Sequence, residues 1–391
     1  MKKVTYVSAD MRGNVYICGM KVLFVGDYSN FHATLAAELR RRGHTAAVVS
    51  SGSRCMDTAR DIDLSRKPGI LGAFGYLGRV FRVWPTLCDY DIVQIINPNF
   101  LHLRPGKIRY FLRELIRQNR HLCLSLAGSD PVTVKGCIED DLFRYSEFRI
   151  GQEKSPYAKG TPGIEYRWLN GQMGDHCRFV YESCEAAMSA LYEYHTAAKP
   201  YLGDKLSYTG IPVDLNRIEE VPFSIPADGK VNMLVGIKSE MELFKGTDRL
   251  LAAAREVERL HPDRCRVAVA RDLPYTEYTQ TLRDAHIVLD QLYSYTPATN
   301  ALETMAMGKV SVSGAEPEYY DFIGEKELHP VVNVVPDDER IVATLSALVT
   351  NPEDMMRRAS QGREFVRRHN SAAIVADRFI TVWNGLLQSH R

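Results

Sequence analysis

Two successive α/β domains, each built on a parallel β-sheet, are what this 391-residue sequence predicts, and three observations carry the expectation. Short apolar runs bounded by Gly, Asn or Asp alternate with stretches whose apolar residues recur every three to four positions, the pattern of βαβ units. The alternation breaks once, across a stretch rich in Pro and Gly, and then restarts. The formal charge of +1 also hides an asymmetry: residues 1–205 carry 28 Lys/Arg against 21 Asp/Glu, and the remainder 21 against 27. A basic half joined to an acidic half fits two domains with different partners.

Residues 1–20 stand outside the pattern. They read either as an extra edge element or as a segment before a natural start at Met20. The first domain is assigned to residues 21–208. KVLFVGD (Lys21–Asp27) is a buried strand, and FHATLAAELRRRGH is a helix stopped by Gly43. AAVVSS, DIVQIIN, HLCLSLAG and RFVYES are the next strands, with KIRYFLRELIRQNR and EAAMSALYEYHTAA as helices. SPYAKGTPGIEYRWLNGQMG (Ser155–Gly174) reads as a long turn-rich insertion, either a lid or a surface loop without a role. Residues 209–230, with Pro212, Pro222, Pro226 and Gly229, form the linker.

The second domain covers residues 231–370. VNMLVGI, CRVAVAR, AHIVLDQ, VSVSG and VVNVV are its strands, with helices at Thr247–Leu260, near Tyr278–Asp284 and after Pro297. Residues 371–391 close the chain as an amphipathic helix. Ligands of open α/β sheets bind at the carboxyl ends of the strands, so the loops after Val25, Ala127, Val235 and Gln291 are expected to face a cleft.

A composition of 45% hydrophobic and 25% charged residues is that of a soluble globular protein. No apolar run reaches the roughly 18 residues that span a bilayer, and no apolar core follows the basic start. The expected location is cytoplasmic. None of the eight cysteines forms a CxxC pair, so buried reduced thiols are expected rather than disulfides or a metal site. His32 and His102 are read as packing or capping residues.

Two stretches carry chemistry. In VGIKSEMELFKGTDRLL (Val235–Leu251) a strand ends at Gly236, Lys238 and Lys245 follow, and a helix begins at Gly246-Thr247. Ammonium groups beside free helix N–H groups suit an anion; two solvated surface lysines are the plainer reading. In YTPATNALETMAMGK (Tyr295–Lys309), Thr296 is the expected N-cap and Pro297 the first helical residue. The N–H groups of Ala298 and Thr299 then point into the cleft. Glu303, four residues after Thr299, shares its helix face. That carboxylate can accept two hydrogen bonds from a vicinal diol such as ribose, or can simply be stabilised by the helix dipole.

Together these stretches resemble the C-terminal domain of the family 4 retaining glycosyltransferases of the GT-B fold, bacterial surface-polysaccharide type. The resemblance rests on Gly236, then Lys245-Gly246, then Glu303 followed by MAMGKVSV (Met305–Val312), and is strongest over residues 230–315. It implies two Rossmann-like domains facing a central cleft, with the final helix packing back toward the first domain. It also implies metal-independent transfer from a nucleotide-diphospho-sugar, with no resident cofactor, to a glycan or lipid-linked acceptor. Glu303 then binds the nucleotide ribose, and Lys245 holds the diphosphate with Lys238 beside it.

The sequence departs from that family in two places. The first glutamate of the family's pair falls on Tyr295, and its glycine-rich approach becomes Thr296-Pro297-Ala298. Donor recognition is then expected to use the Tyr295 hydroxyl and the helix end at Thr296, Ala298 and Thr299. The usual arginine after Gly236 is Ile237, which leaves Arg271 as a further diphosphate partner. In the first domain Gly26 is expected to let the backbone approach a ligand, and no GxGxxG fingerprint supports a dehydrogenase. LSLAGSDP places Asp130 where it reads as a sugar-hydroxyl ligand or acceptor base, or as an ordinary turn aspartate.

Residues 1–120 hold 19 basic against 9 acidic residues. Arg109, Arg113 and Arg117 recur every four residues as a basic stripe. RKPGILGAFGYLGRVFRVW (Arg66–Trp84) mixes large apolar residues with Arg79 and Arg82. Such a mix suits an anionic membrane surface at the inner face of the cytoplasmic membrane; it also suits a core-facing helix with ordinary solvated charge. Nucleic acid is not expected, because stacking aromatics do not interleave the basic residues. Two rivals stay open: a nucleotide-sugar epimerase of the same fold, and a non-catalytic nucleotide- or glycan-binding scaffold.

Overall fold

The computed structural model of the chain describes residues 7–9, 15–17, 19–52 and 58–389. These form two compact units, neither contiguous in sequence. Unit 1 takes the described residues of Met1–Thr133, Arg167–Pro212 and Ala372–Arg391; unit 2 takes Val134–Tyr166 and Val213–Ser371.

Unit 1 is built on seven parallel strands: β1 (Lys21–Val25), β2 (Thr45–Ser50), β3 (Ile62–Asp63), β4 (Ile92–Ile95), β5 (His121–Leu126), β6 (Ala186–Ser189) and β7 (Leu206–Tyr208). Their order is β7-β6-β5-β4-β1-β2-β3. All six residues of β5 and all four of β4 are buried, as strands covered on both faces must be. The helices are α1 (Phe31–Arg41), α2 (Gly69–Val83), α3 (Pro105–Gln118), α4 (Pro131–Ile138), whose second half lies in unit 2, α5 (Gln172–Ser183) and α6 (Tyr192–Leu202).

The expected strand RFVYES is instead the end of α5. His176, Cys177, Val180 and Tyr181 are its buried residues, and that spacing is helical. The strand is the four-residue run Ala186–Ser189, inside the stretch read as a helix. Among the described residues of the N-terminal segment, Val7–Ala9 pairs antiparallel with Val15–Ile17 in a separate two-stranded sheet.

A buried hydrogen-bonded chain runs through the core of unit 1. Trp383 Nε1 donates to Gln94 Oε1 at 3.1 Å. Gln94 Nε2 donates to Ser125 Oγ at 2.9 Å. Ser125 Oγ meets His32 Nε2 at 3.0 Å, and His32 Nδ1 meets the Gly26 carbonyl at 2.7 Å. A carbonyl only accepts, so Nδ1 carries the proton and Nε2 accepts from Ser125. Burial holds the imidazole neutral, at about 3. His32 is therefore a satisfied core residue.

Unit 2 has five parallel strands: β8 (Val231–Ile237), β9 (Cys265–Arg271), β10 (Ile287–Leu289), β11 (Val310–Ser313) and β12 (Val332–Asn333), in the order β9-β8-β10-β11-β12. Its helices are α7 (Glu242–Lys245), α8 (Thr247–Leu260), α9 (Tyr275–Asp284), α10 (Thr299–Ala306), α11 (Pro317–Ile323), α12 (Asp338–Val349) and α13 (Pro352–His369). Met233, Val235, Leu250, Val257, Ile287 and Val312 belong to one of its buried clusters. Part of the stretch expected as linker lies on this unit, with Val213 N–H donating to the Asn370 carbonyl and Val221 N–H to the Met307 carbonyl.

The 21–208 block expected as one domain is interrupted, because Val134–Tyr166 clusters with unit 2. The reason is aromatic. Phe143 meets the Tyr295 ring edge-on at 5.3 Å, Tyr145 packs on it tilted at 5.0 Å, and Tyr157 meets Phe244 edge-on at 5.1 Å. Tyr145 Oη also donates to Glu316 at 2.6 Å, and Arg144 pairs with Glu316 and Glu318. The expected long loop 155–174 is mostly helical, with short helices at Pro156–Gly160 and Ile164–Leu169 before α5.

Helix α14 (Ala372–Ser389) returns to unit 1. Phe379 packs edge-on against Phe31, and Trp383 lies tilted against Phe24. Arg42 donates to the Ala373 carbonyl at 2.8 Å and pairs with Asp377.

Candidate functional site

In unit 2 the chain lays down β8, places β9 on one side of it and then β10 on the other. The strand order reverses between β8 and β10, and the crevice beyond their carboxyl ends is where open α/β sheets bind ligands. Lys245, Asp290, Asn300 and Glu303 gather there.

Lys245 ends α7, and Gly246 turns the chain into α8 with φ +69°. A Cβ at Gly246 would lie 2.9 Å from Leu292 Cβ and 2.8 Å from the Tyr293 ring, so only glycine fits this turn. The Lys245 carbonyl accepts from Leu292 N–H at 2.8 Å, which fixes the turn against the loop after β10. Lys245 Nζ lies 3.1 Å from Asp290 Oδ1, which also accepts from Asn300 Nδ2 at 3.1 Å. Asp290 is 1% exposed, and its Oδ2 has no hydrogen-bond partner among the described residues. The carboxylate therefore pins the ammonium beside the first turn of α10 and leaves two of its three donors for a ligand.

Helix α10 starts two residues later than expected. Its N-cap is Ala298, without a side-chain cap, and Thr296 and Pro297 are buried in the irregular segment before it. The first-turn N–H groups from Thr299 onward thus lack a side-chain acceptor from the cap residue.

Glu303 lies one turn into α10 and is half-buried. Tyr275 Oη donates to its Oε2 at 3.3 Å. Burial pushes the carboxyl from 4.5 up to about 7, opposed by Tyr275 and by the charge of Arg217. The folded chain therefore holds this proton more tightly than the unfolded chain. The resulting cost to stability is absent below about pH 4.5, grows toward pH 7 and is complete above it. Glu303→Gln is expected to stabilise the protein by roughly 1–3 kcal/mol at pH 8 and not at pH 4. Thermal melts at the two pH values check this; equal shifts at both would mean that packing, not charge, sets the cost.

The other expected ligands of unit 2 have partners of their own within it. Lys238 Nζ donates to the Leu273 carbonyl at 2.9 Å. Arg271 makes a two-pronged pair with Glu242, both contacts at 2.9 Å. Gly236 faces the Tyr278 ring, whose Oη would be 2.8 Å from a Cβ, so the glycine makes room for an aromatic side chain. Tyr295 is buried, and its hydroxyl accepts from Arg144 N–H at 2.7 Å. Burial raises that phenol to about 12. Its hydroxyl anchors the Val134–Tyr166 excursion.

Two candidates belong to unit 1 and have structural duties there. Asp130 is fully buried; it accepts from Thr133 N–H at 2.8 Å and from Tyr181 Oη at 2.6 Å, and so caps α4. Burial raises its carboxyl. It is the turn-capping aspartate rather than an exposed base. Gly26, at φ +81°, would place a Cβ 2.3 Å from Ile96 Cγ2, so its close approach is to the loop after β4.

Sequence reasoning missed Asp290, Asn300, Tyr275 and Tyr278. A carboxylate directly after a buried strand, in AHIVLDQ, was the available signal for Asp290.

No protein-family model matches the sequence, and no curated protein matches it. Solved structures do. Sucrose-phosphate synthase from Thermosynechococcus elongatus superposes with a TM-score of 0.62 at 13% identity, covering 94% of this chain and 100% of that one. A putative UDP-N-acetylglucosamine 2-epimerase from Listeria monocytogenes gives 0.56 at 13% identity, with 95% and 97% covered. WaaG, a glycosyltransferase involved in lipopolysaccharide biosynthesis, gives 0.52 at 14% identity, with 93% and 100% covered. At these identities the likeness establishes the architecture: the chain has the GT-B fold of two Rossmann-like domains that the motifs predicted.

Proposed function

We propose that the chain is a retaining, metal-independent glycosyltransferase. It moves a sugar from a nucleotide-diphospho-sugar to a glycan or lipid-linked acceptor in surface-polysaccharide synthesis. The observation that carries this reading is the convergence of Lys245, the N-terminus of α10 and Glu303 at the switch point of the unit 2 sheet. A cation and free N–H groups suit a diphosphate, and a carboxylate one turn along suits the ribose diol. The named similar structures support the donor class, since one is named for a UDP-sugar and another is a glycosyltransferase.

In this reading the bond from sugar C1 to the diphosphate oxygen breaks, and its electron pair passes to that oxygen. Negative charge grows there, so Lys245 and the helix N–H groups bind the transition state more tightly than the donor. The acceptor hydroxyl attacks the same face and gives its proton to the leaving phosphate, so no protein nucleophile is used. Asp290 and Asn300 position the ammonium.

Calorimetry with UDP, GDP and ADP, followed by a donor panel with and without acceptor, tests the proposal. Nucleotide release that needs an acceptor is expected. Failure of all three nucleotides to bind would sink it and favour a scaffold. Turnover of donor alone would favour an epimerase; Tyr295, standing where the resembling enzymes carry a glutamate, bears instead on the scaffold reading.

A further inference from the structure

Helix α2 carries an apolar face that the described residues leave open. Ile70, Leu71, Phe74 and Phe81 are 78, 87, 69 and 54% exposed, while Tyr76 and Val80 on the other side are buried. At about 100° per residue the four exposed side chains fall within an arc of roughly 100°, a single stripe. Contiguous apolar surface of this kind marks an interaction site.

The charges around the stripe say what covers it. Residues 64–88 contain no Asp or Glu and four cations, Arg66, Lys67, Arg79 and Arg82. Arg66, Lys67 and Arg82 are exposed near the two ends of α2. Helix α3, which meets α2 through Phe81 and Phe111 at 5.4 Å, adds exposed Lys107. Several other cations of this half have partners: Arg79 donates to the Ser65 carbonyl, Arg109 and Arg113 lie over the Phe179 ring at 4.8 and 5.3 Å, and Arg117 pairs with Glu114. The expected stripe of Arg109, Arg113 and Arg117 is thus largely spoken for; at the border of α2, Arg66 gives one N–H to the His102 carbonyl at 2.9 Å and keeps its charge at the surface, and among the described residues Lys67, Arg82 and Lys107 are the open cations.

We infer that α2 is a docking helix for an anionic bilayer. It lies in the headgroup region with Ile70, Leu71, Phe74 and Phe81 in the acyl boundary and Arg66, Lys67, Arg82 and Lys107 on lipid phosphates. A second copy of the chain is the poorer occupant, because symmetric pairing of the stripe brings two rims of like charge together. The inference is independent of the transfer reaction, since it uses only this surface.

Flotation of the full chain with vesicles tests it, using phosphatidylcholine alone and phosphatidylcholine with about 30% phosphatidylglycerol at about 0.1 M salt. The protein is expected to float with the anionic vesicles and much less with the neutral ones. The variant Leu71→Ser/Phe74→Ser should lower the bound fraction about fivefold or more. The variant Arg66→Gln/Lys67→Gln/Arg82→Gln should bring binding down to the neutral-vesicle level. All these side chains are exposed, so the melting temperature should stay at the wild-type value and separate lost docking from lost folding. No flotation of the wild type, or equal flotation by the Leu71/Phe74 variant, overturns the inference. So does a wild-type dimer that this variant splits, because a second copy is then the occupant.

Discussion

Lys245→Ala is expected to lower turnover by about 100- to 1000-fold, the usual result of removing a group that stabilises charge formed in the transition state. Nucleoside diphosphate should also bind about tenfold more weakly, because part of the contact exists before reaction. The same change strips Asp290 of its cation. That carboxylate is buried and has Asn300 as its other donor, so the variant should also lose about 1–3 kcal/mol of stability. The two effects separate in Lys245→Ala/Asp290→Asn. Neutralising Asp290 should restore the melting temperature, and turnover should stay low. Transfer at the wild-type rate by Lys245→Ala would refute the assignment of the site.

Gly314→Ala is expected to be the most damaging single methyl group in unit 2. A Cβ at Gly314 would lie 1.7 Å from the Ser294 carbonyl oxygen and 2.4 Å from its carbon. Those atoms are backbone, so no rotamer relieves the clash, and the loop after β10 must part from the end of β11. Overpacking of this kind should cost about 3 kcal/mol or more. The melting temperature should fall by about 6–12 °C for a unit of this size. Gly385, inside α14, has open space at its Cβ position, and Gly385→Ala should be neutral or stabilising by up to about 1 kcal/mol. Matched melts of the two variants would show the close approach to be wrong. Because Glu316 N–H also holds the Tyr295 carbonyl at 3.0 Å, the damage should spread to α10.

The strands were legible where apolar runs were long. KVLFVGD, DIVQIIN, HLCLSLAG and VNMLVGI all contain parallel strands, because burial on both faces leaves a continuous apolar signature; CRVAVAR is a strand too, but an edge strand with Arg266, Ala268, Val269 and Arg271 exposed. RFVYES failed because a short apolar run does not distinguish strand from helix; the neighbouring His176 and Cys177 supply the helical period. Thr296-Pro297 failed because local cap chemistry was overruled by tertiary burial of both residues, which delays α10 to Thr299.

At the candidate site, Lys245 and Glu303 were readable from spacing and resemblance. Their supports were not. Asp290 lies 45 residues from Lys245 in sequence, and only the pairing of β8 with β10 brings them together. The assignment of Val134–Tyr166 to unit 2 was hidden for the same reason. It depends on Tyr295 and Glu316, more than 150 residues downstream of their partners Arg144 and Tyr145.

The return of α14 to unit 1 has a consequence for synthesis. Trp383 begins the buried hydrogen-bonded chain that ends at Gly26, and Phe379 and Trp383 close the packing around Phe24 and Phe31. These residues leave the ribosome only after all of unit 2 has emerged. Unit 1, though begun first, is therefore the unit completed last, and until α14 arrives Gln94 and the face of α1 wait without their partners. A nascent chain of this protein must keep that core open through the translation of more than a hundred intervening residues, which makes the interval before residue 372 the period of greatest exposure to chaperones and to aggregation.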